Sequence, residues 1–310
     1  MRTLRMLPWA VRAAWAVLPL TVGPSLAAAL DEHADPVRTT ASVGLWAAWT
    51  IVVVATLVPH PVSLTAVRVA APGAVVAVAW TTLAGEVSPW TWATVVALCG
   101  AAFLPETAAW FVNGPAYPNE RRFPLRPPGP VLLAGLLPAW ALAVGLPVGG
   151  GLLVAAGRTE LGLAVLLVGV PVALVLLRAM HGLSRRWVVF VPAGLVLHDG
   201  LALVDPVLFQ KKVVDSIGLA PAGTDSLDLT KSALGPAVEL LLKEKVPMVL
   251  AVPRQPAGEP GASARLLFAP TRPGAVLAEA ARRGLPLARP GSAAESAQAA
   301  MPPPSTSSPS

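Results

Sequence analysis

The chain has 310 residues, a formal net charge of +6, 55% hydrophobic residues and only 13% charged ones, with a mean hydropathy of +0.65. A soluble globular chain carries roughly 25% charged residues, so the composition points to an integral membrane protein. The basic residues flank apolar runs instead of interleaving with aromatics, which sets nucleic acid aside as a partner. The single cysteine, Cys99, leaves no intramolecular disulfide and no cysteine-based zinc site.

A membrane span needs about 20 mostly apolar residues. Six runs qualify: 13–30, 41–58, 66–84, 90–112, 131–155 and 159–179. The first has a second reading, because a basic start, an apolar stretch and the small residues Ala27, Ala28 and Ala29 also fit a cleaved signal peptide. Prolines at 19, 24, 72, 105, 138, 147 and 171 fall inside these runs. Lipid-embedded helices tolerate them when neighbours re-satisfy the freed backbone groups.

With six spans, Arg2, Arg5, Arg12, His60, Arg68, Arg121, Arg122, Arg126, Arg178, Arg185 and Arg186 gather at one side. Asp31, Glu32, Asp35, Arg38, Glu86, Arg158 and Glu160 gather at the other. Basic residues mark the cytoplasm, so both termini are expected there and the protein is expected in the plasma (inner) membrane. The tryptophans fit two interfacial belts, with Trp9, Trp15, Trp110 and Trp187 inside and Trp46, Trp49, Trp80, Trp90 and Trp92 outside. Trp140 lies deeper and is expected to pack between helices.

Several groups invite a functional reading. Glu106, just after Pro105, and Arg68 have similar expected depths, and an interhelical ion pair would relieve both charges. "DEHADP" (31–36) clusters two kinds of carboxylate ligand with an imidazole, but a short acidic outer loop needs no metal. "NGPAYPNERRFPLRPPG" (113–129) brings Arg121, Arg122 and Arg126 together in a proline-rich, extended loop. It serves as an inside marker, and its arginines are candidates for headgroup binding or for docking the soluble part. "VGGG" (148–151) reads as a kink or a hinge. His33, His60, His181 and His198 are dispersed, and no nucleophile elbow, phosphate loop or dinucleotide fingerprint is present. No cofactor and no catalytic set are expected.

After Met180 the pattern changes. All five lysines lie from Lys211 to Lys245. Short strand-like runs appear at 186–191, 194–199, 207–214, 246–252 and 265–269, separated by turn signals. "PAVELLLKEK" (236–245) reads as a strand or as an amphipathic helix, with the strand favoured. "TRPGAVLAEAARRG" (271–284) reads as a helix capped by Thr271 and ended by Gly284, with Val276, Leu277 and Ala280 on its apolar face. Residues 289–310 lack bulky apolar side chains and are expected to be disordered. Arg185, Arg186, Lys211 and Lys212 are candidates for a basic face.

"RRWVVFVPAGLVLHD" and "RLLFAPTRPGAVLAEAARRG" resemble the first strands, and the closing strand and helix, of bacterial pleckstrin-homology-like domains. With its basic proline-rich loop, the whole chain also resembles a multi-pass membrane family of actinobacteria. Stretch 215–235 departs from a clean strand succession. The resemblance implies a cytoplasmic β-rich module that binds lipid or protein surfaces without catalysis. The expected architecture is therefore an α-helical multi-pass bundle of about six spans (1–180), a mainly-β cytoplasmic domain with a C-terminal helix (181–288), and a tail (289–310). The expected partners are membrane lipids and a membrane protein. A small transporter or permease subunit using Glu106 and Arg68 is the alternative, and a membrane enzyme comes third.

Overall fold

The computed structural model describes residues 2–288, with side chains from residue 8 onward; the expected disordered tail lies outside the described residues. Compactness divides the chain between Trp187 and Val188.

The first unit is helical. It comprises α1 (Arg2–Asp31), α2 (Asp35–Leu57), α3 (Pro61–Ala84), α4 (Pro89–Phe103), α5 (Pro105–Asn113), a π-helical turn (Val131–Gly135) running into α6 (Leu136–Ala155), and α7 (Thr159–Ser184). Proline at the first or second position starts α2, α3, α4 and α5, where its missing N–H costs nothing. His60 and Ser88 add side-chain caps, accepting from Val62 N and Trp90 N. Five helices are long and apolar enough to cross a membrane. Most of their bulky side chains face outward, as they do where lipid is the solvent.

The fourth apolar run does not form one helix. α4 and α5 meet at 57° around Leu104, because Pro105 has no N–H to offer the Ala101 carbonyl. The two ends of this bent pair lie at opposite ends of the bundle. α4 begins where α3 has just ended, and Thr91 Oγ1 donates to the Thr21 carbonyl at 3.1 Å. α5 ends at Gly114, where an added Cβ would overlap the Pro59 carbonyl beside the start of α3. α6 and α7 form a tight hairpin, since a Cβ on Gly162 would come within 2.7 Å of Val154 N and 2.8 Å of Gly150 O.

The tryptophan belts need one correction. Trp49 Nε1 donates to the Trp15 carbonyl at 2.7 Å, so these two share a depth and cannot belong to opposite interfaces. Trp140 packs between helices as its position suggests, donating from Nε1 to Val69 O at 2.8 Å.

The second unit is built from β2 (Trp187–Val191, its first residue still in the helical unit), β3 (Gly194–His198), β4 (Val207–Gln210), β5 (Val214–Leu219), β6 (Leu227–Asp228), β7 (Val238–Val252), β8 (Gln255–Phe268) and α8 (Pro273–Arg282); β1 (Arg121–Pro124) belongs to the first unit. β2, β3 and β4 follow one another as a meander, and a second sheet has the order β5-β7-β8-β6. β6 runs parallel to β8, and the other pairs in that sheet are antiparallel. Val188, Phe190, Leu195, Phe209, Ile217, Leu240, Leu266 and Phe268 form the buried core, with Val276 and Ala280 of α8 also buried.

Four readings change here. The run 207–214 is split between β4 and β5 by a turn carrying Lys211 and Lys212. Segments 236–245 and 246–252 are one strand, and its register shifts between Leu241 and Val246, where Lys243, Glu244 and Lys245 bulge out. β8 begins ten residues before the expected 265; Pro256 and Pro260 hid it, and they are tolerated because β6 pairs with β8 only at Leu266 and Leu267. Thr271 does not cap α8, whose N-cap is Arg272 without a side-chain bond. Gly284 ends that segment at a left-handed φ of 71°.

Candidate functional site

The basic loop is an ordered strap. Asn113, the last residue of α5, grips Arg122 from both sides: its Oδ1 accepts from Arg122 N at 2.9 Å and its Nδ2 donates to Arg122 O at 2.8 Å. Phe123 and Leu125 are then buried. Leu125 N donates to the Arg186 carbonyl at 3.0 Å, and Arg186 Nη1 donates to the Arg126 carbonyl at 2.8 Å. The strap thus ties the end of α5 to the chain just beyond α7.

This wiring separates the candidate arginines by role. Arg186 is buried, and its guanidinium serves the strap. Arg122 pairs with Glu120 at 3.0 Å and lies over the Trp187 ring at 5.5 Å. Arg126 is half-buried, and desolvation lowers its pKa below the usual arginine value. Arg121 and Arg185 are exposed, as are Lys211 and Lys212 in the β4–β5 turn. Arg178, Lys243, Lys245, Arg254, Arg265 and Arg282 are exposed as well, so exposure alone does not set those four apart. Replacing Arg186 with methionine should remove a charge-assisted bond of about 1.5–3 kcal/mol and expose residues 114–130 to protease. Arg121→Gln should leave the digestion pattern unchanged. Equal cleavage in both variants would show that the strap is held by something else.

The second candidate lies at the helix break. Pro105 removes the i+4 donor of the Ala101 carbonyl, which keeps only a 3.3 Å bond from Leu104 N in the backbone, and the bend frees that of Ala102. Thr107 Oγ1 donates to Ala101 O at 2.7 Å and Arg68 Nε donates to Ala102 O at 3.3 Å. The Arg68 guanidinium also lies 5.7 Å from the Phe103 ring centre. Arg68 thus stands at the C-terminal, negative end of α4, while Glu106 opens the first turn of α5, at that helix's positive end. Both charges complement the helix ends nearest to them.

At the opposite end of the bundle, the acidic loop has its own cation. Arg38 bonds to Asp35 at 2.7 Å and Asp31 at 3.4 Å, and the His33 ring lies against Trp80. Among the described residues, no three His, Cys, Asp or Glu side chains gather as a metal ion would require.

Comparison with protein-family models, curated proteins and solved structures finds no match.

Two constellations were not visible in the sequence. Glu239, buried on β7, accepts from Thr224 Oγ1 at 2.6 Å and Ser226 Oγ at 2.5 Å, with Arg265 at 3.6 Å. This carboxylate anchors the irregular 220–226 loop to the sheet. Arg12, read only as an orientation signal, lies 4.9 Å from the Trp9 ring and 5.1 Å from the Trp110 ring. The only signal for the latter was that each residue suits a membrane interface; nothing in the sequence says that residues 98 positions apart converge.

Proposed function

We propose that the chain is a non-enzymatic plasma-membrane protein of about six spans, counting the bent α4–α5 pair as one. Its β-rich C-terminal unit works at the cytoplasmic surface, binding lipid headgroups or partner proteins. The observation that carries this reading is the change of construction at Trp187/Val188: outward-facing apolar helices give way to a β unit with its own buried core and closing helix. The meander, second sheet and C-terminal helix support the pleckstrin-homology-like resemblance; the parallel β6 departs from it. Arg121, Arg185, Lys211 and Lys212 are among the exposed cations available to an anionic surface, at about 1 kcal/mol each and screened by salt.

The test uses residues 184–288 as a fragment. It should be monomeric, give a mainly β circular dichroism spectrum, and sediment with anionic liposomes at low salt but not at high salt. Lys211→Gln with Lys212→Gln should weaken that binding. A dominantly helical spectrum, or liposome binding indifferent to both charge and salt, would sink the reading.

A second reading, a small transporter or permease subunit, is favoured by one observation: a broken helix with Arg68 and Glu106 at its two inner ends resembles the discontinuous helices that build transport sites.

A further inference from the structure

The inner end of the bundle holds a cation whose surroundings are those of a headgroup site. Arg12 Nε donates to the Thr56 carbonyl at 2.9 Å, which fixes the plane of the guanidinium. Two indoles, Trp9 and Trp110, stand within cation–π distance. Trp9 is 65% exposed, so its ring faces the surroundings of the bundle. Among the described residues, no carboxylate or carbonyl meets Nη1 or Nη2 of Arg12. Four N–H donors therefore project from a half-buried, oriented fork.

Depth identifies what they face. Arg12 and Asp31 are 19 residues apart on α1, and Thr56 and Asp35 are 21 apart on α2. At 1.5 Å per residue these separations are about 28 Å and about 32 Å. The hydrocarbon core is about 30 Å thick. Two helices thus independently place the guanidinium one core thickness from the acidic end of the bundle, at the level of the phospholipid phosphates. The indoles suit the same level, where an apolar ring and a polar N–H are both satisfied.

We propose that Arg12, Trp9 and Trp110 form a clamp for the phosphate of a membrane phospholipid. The guanidinium edge donates two parallel bonds to phosphate oxygens, the geometry for which Arg is better suited than Lys. The indoles pack against the glycerol and upper acyl chain. The phosphate alone is recognised, so the clamp takes zwitterionic and anionic lipids alike, unlike a diffuse basic surface. The inference rests on the bundle lying in a membrane but on none of the cations assigned to the β-rich unit's function.

The experiment uses the full chain, purified in mild detergent, carrying Arg121→Gln and Arg185→Gln so that these two exposed arginines do not contribute. Phosphatidylcholine, diacylglycerol with the same chains, and inorganic phosphate are added separately, and retained lipid is counted by native mass spectrometry alongside the melting temperature. Phosphatidylcholine should be retained and should raise the melting temperature; diacylglycerol and inorganic phosphate should not. Arg12→Gln should weaken phosphatidylcholine retention about tenfold or more, and Arg12→Lys should fall between. Equal effects of diacylglycerol, or equal retention by Arg12→Gln, would overturn the clamp. An equal effect of inorganic phosphate would make the site one for a free anion and overturn the lipid assignment. If Arg12→Gln does not fold, the three-probe comparison decides. Alkaline extraction of native membranes separates the two levels: a chain released by carbonate defeats the membrane reading itself, whereas a retained chain indifferent to the phosphate defeats only the clamp.

Discussion

Replacing Phe268 with alanine should lower the unfolding free energy of the β-rich unit by about 3–5 kcal/mol and leave the unfolding of the helical unit where it was. Phe268 is 1% exposed and ends β8 opposite Val238. Removing its ring takes away apolar burial and leaves a cavity that the two sheets cannot fill without shifting. In a unit of this size the loss corresponds to a fall of more than about 10 °C in its transition. Differential scanning calorimetry of the full chain should therefore show one transition moving and one fixed. A single transition that moves as a whole would mean that the two units unfold together and that the division at Trp187/Val188 is not energetic.

The second large effect concerns the break in the fourth apolar segment. Arg68→Leu leaves the Ala102 carbonyl without its donor. An unpaired polar group costs about 1–3 kcal/mol, and more where lipid supplies no water to replace the partner. Adding Pro105→Ala restores the missing N–H, so the helix can continue through 104–105 and satisfy its own carbonyls. The double variant should therefore recover most of the melting temperature that Arg68→Leu loses. If the losses add instead, Arg68 is not held there to serve the break, and the transport reading gains, because it requires the charge itself.

How far the sequence foretold the structure depends on whether the signal was local. Five spans were legible because length and apolarity are properties of a single segment. The break was not foretold: Pro105 stood inside a run read as one span, and the residues that make the break tolerable, Thr107 and Arg68, act across a turn and across 34 positions. In the β-rich unit, the strands rich in Val, Leu and Phe stood out. The first half of β8 did not, since "QPAGEPGASA" is loop-like in composition and is held extended only by pairing with β7. The charged 243–245 stretch looked like an ending and is a bulge within one strand. For the basic loop, net charge suggested one shared role, but burial divides it. Asn113, Phe123 and Leu125 decide which arginines face inward, and none of the three carries a charge that would have drawn attention.

The central claim is that the bent α4–α5 pair crosses the membrane, which puts the strap and the β-rich unit on the cytoplasmic side with the N-terminus. Dual reporters inserted after residues 33, 87, 118, 157 and 184 of the full chain test it most directly. The account predicts periplasmic activity at 33, 87 and 157, and cytoplasmic activity at 118 and 184. A periplasmic signal at 118 and 184 with a cytoplasmic one at 157 would show that α4–α5 re-enters without crossing, and would place the β-rich unit on the opposite face.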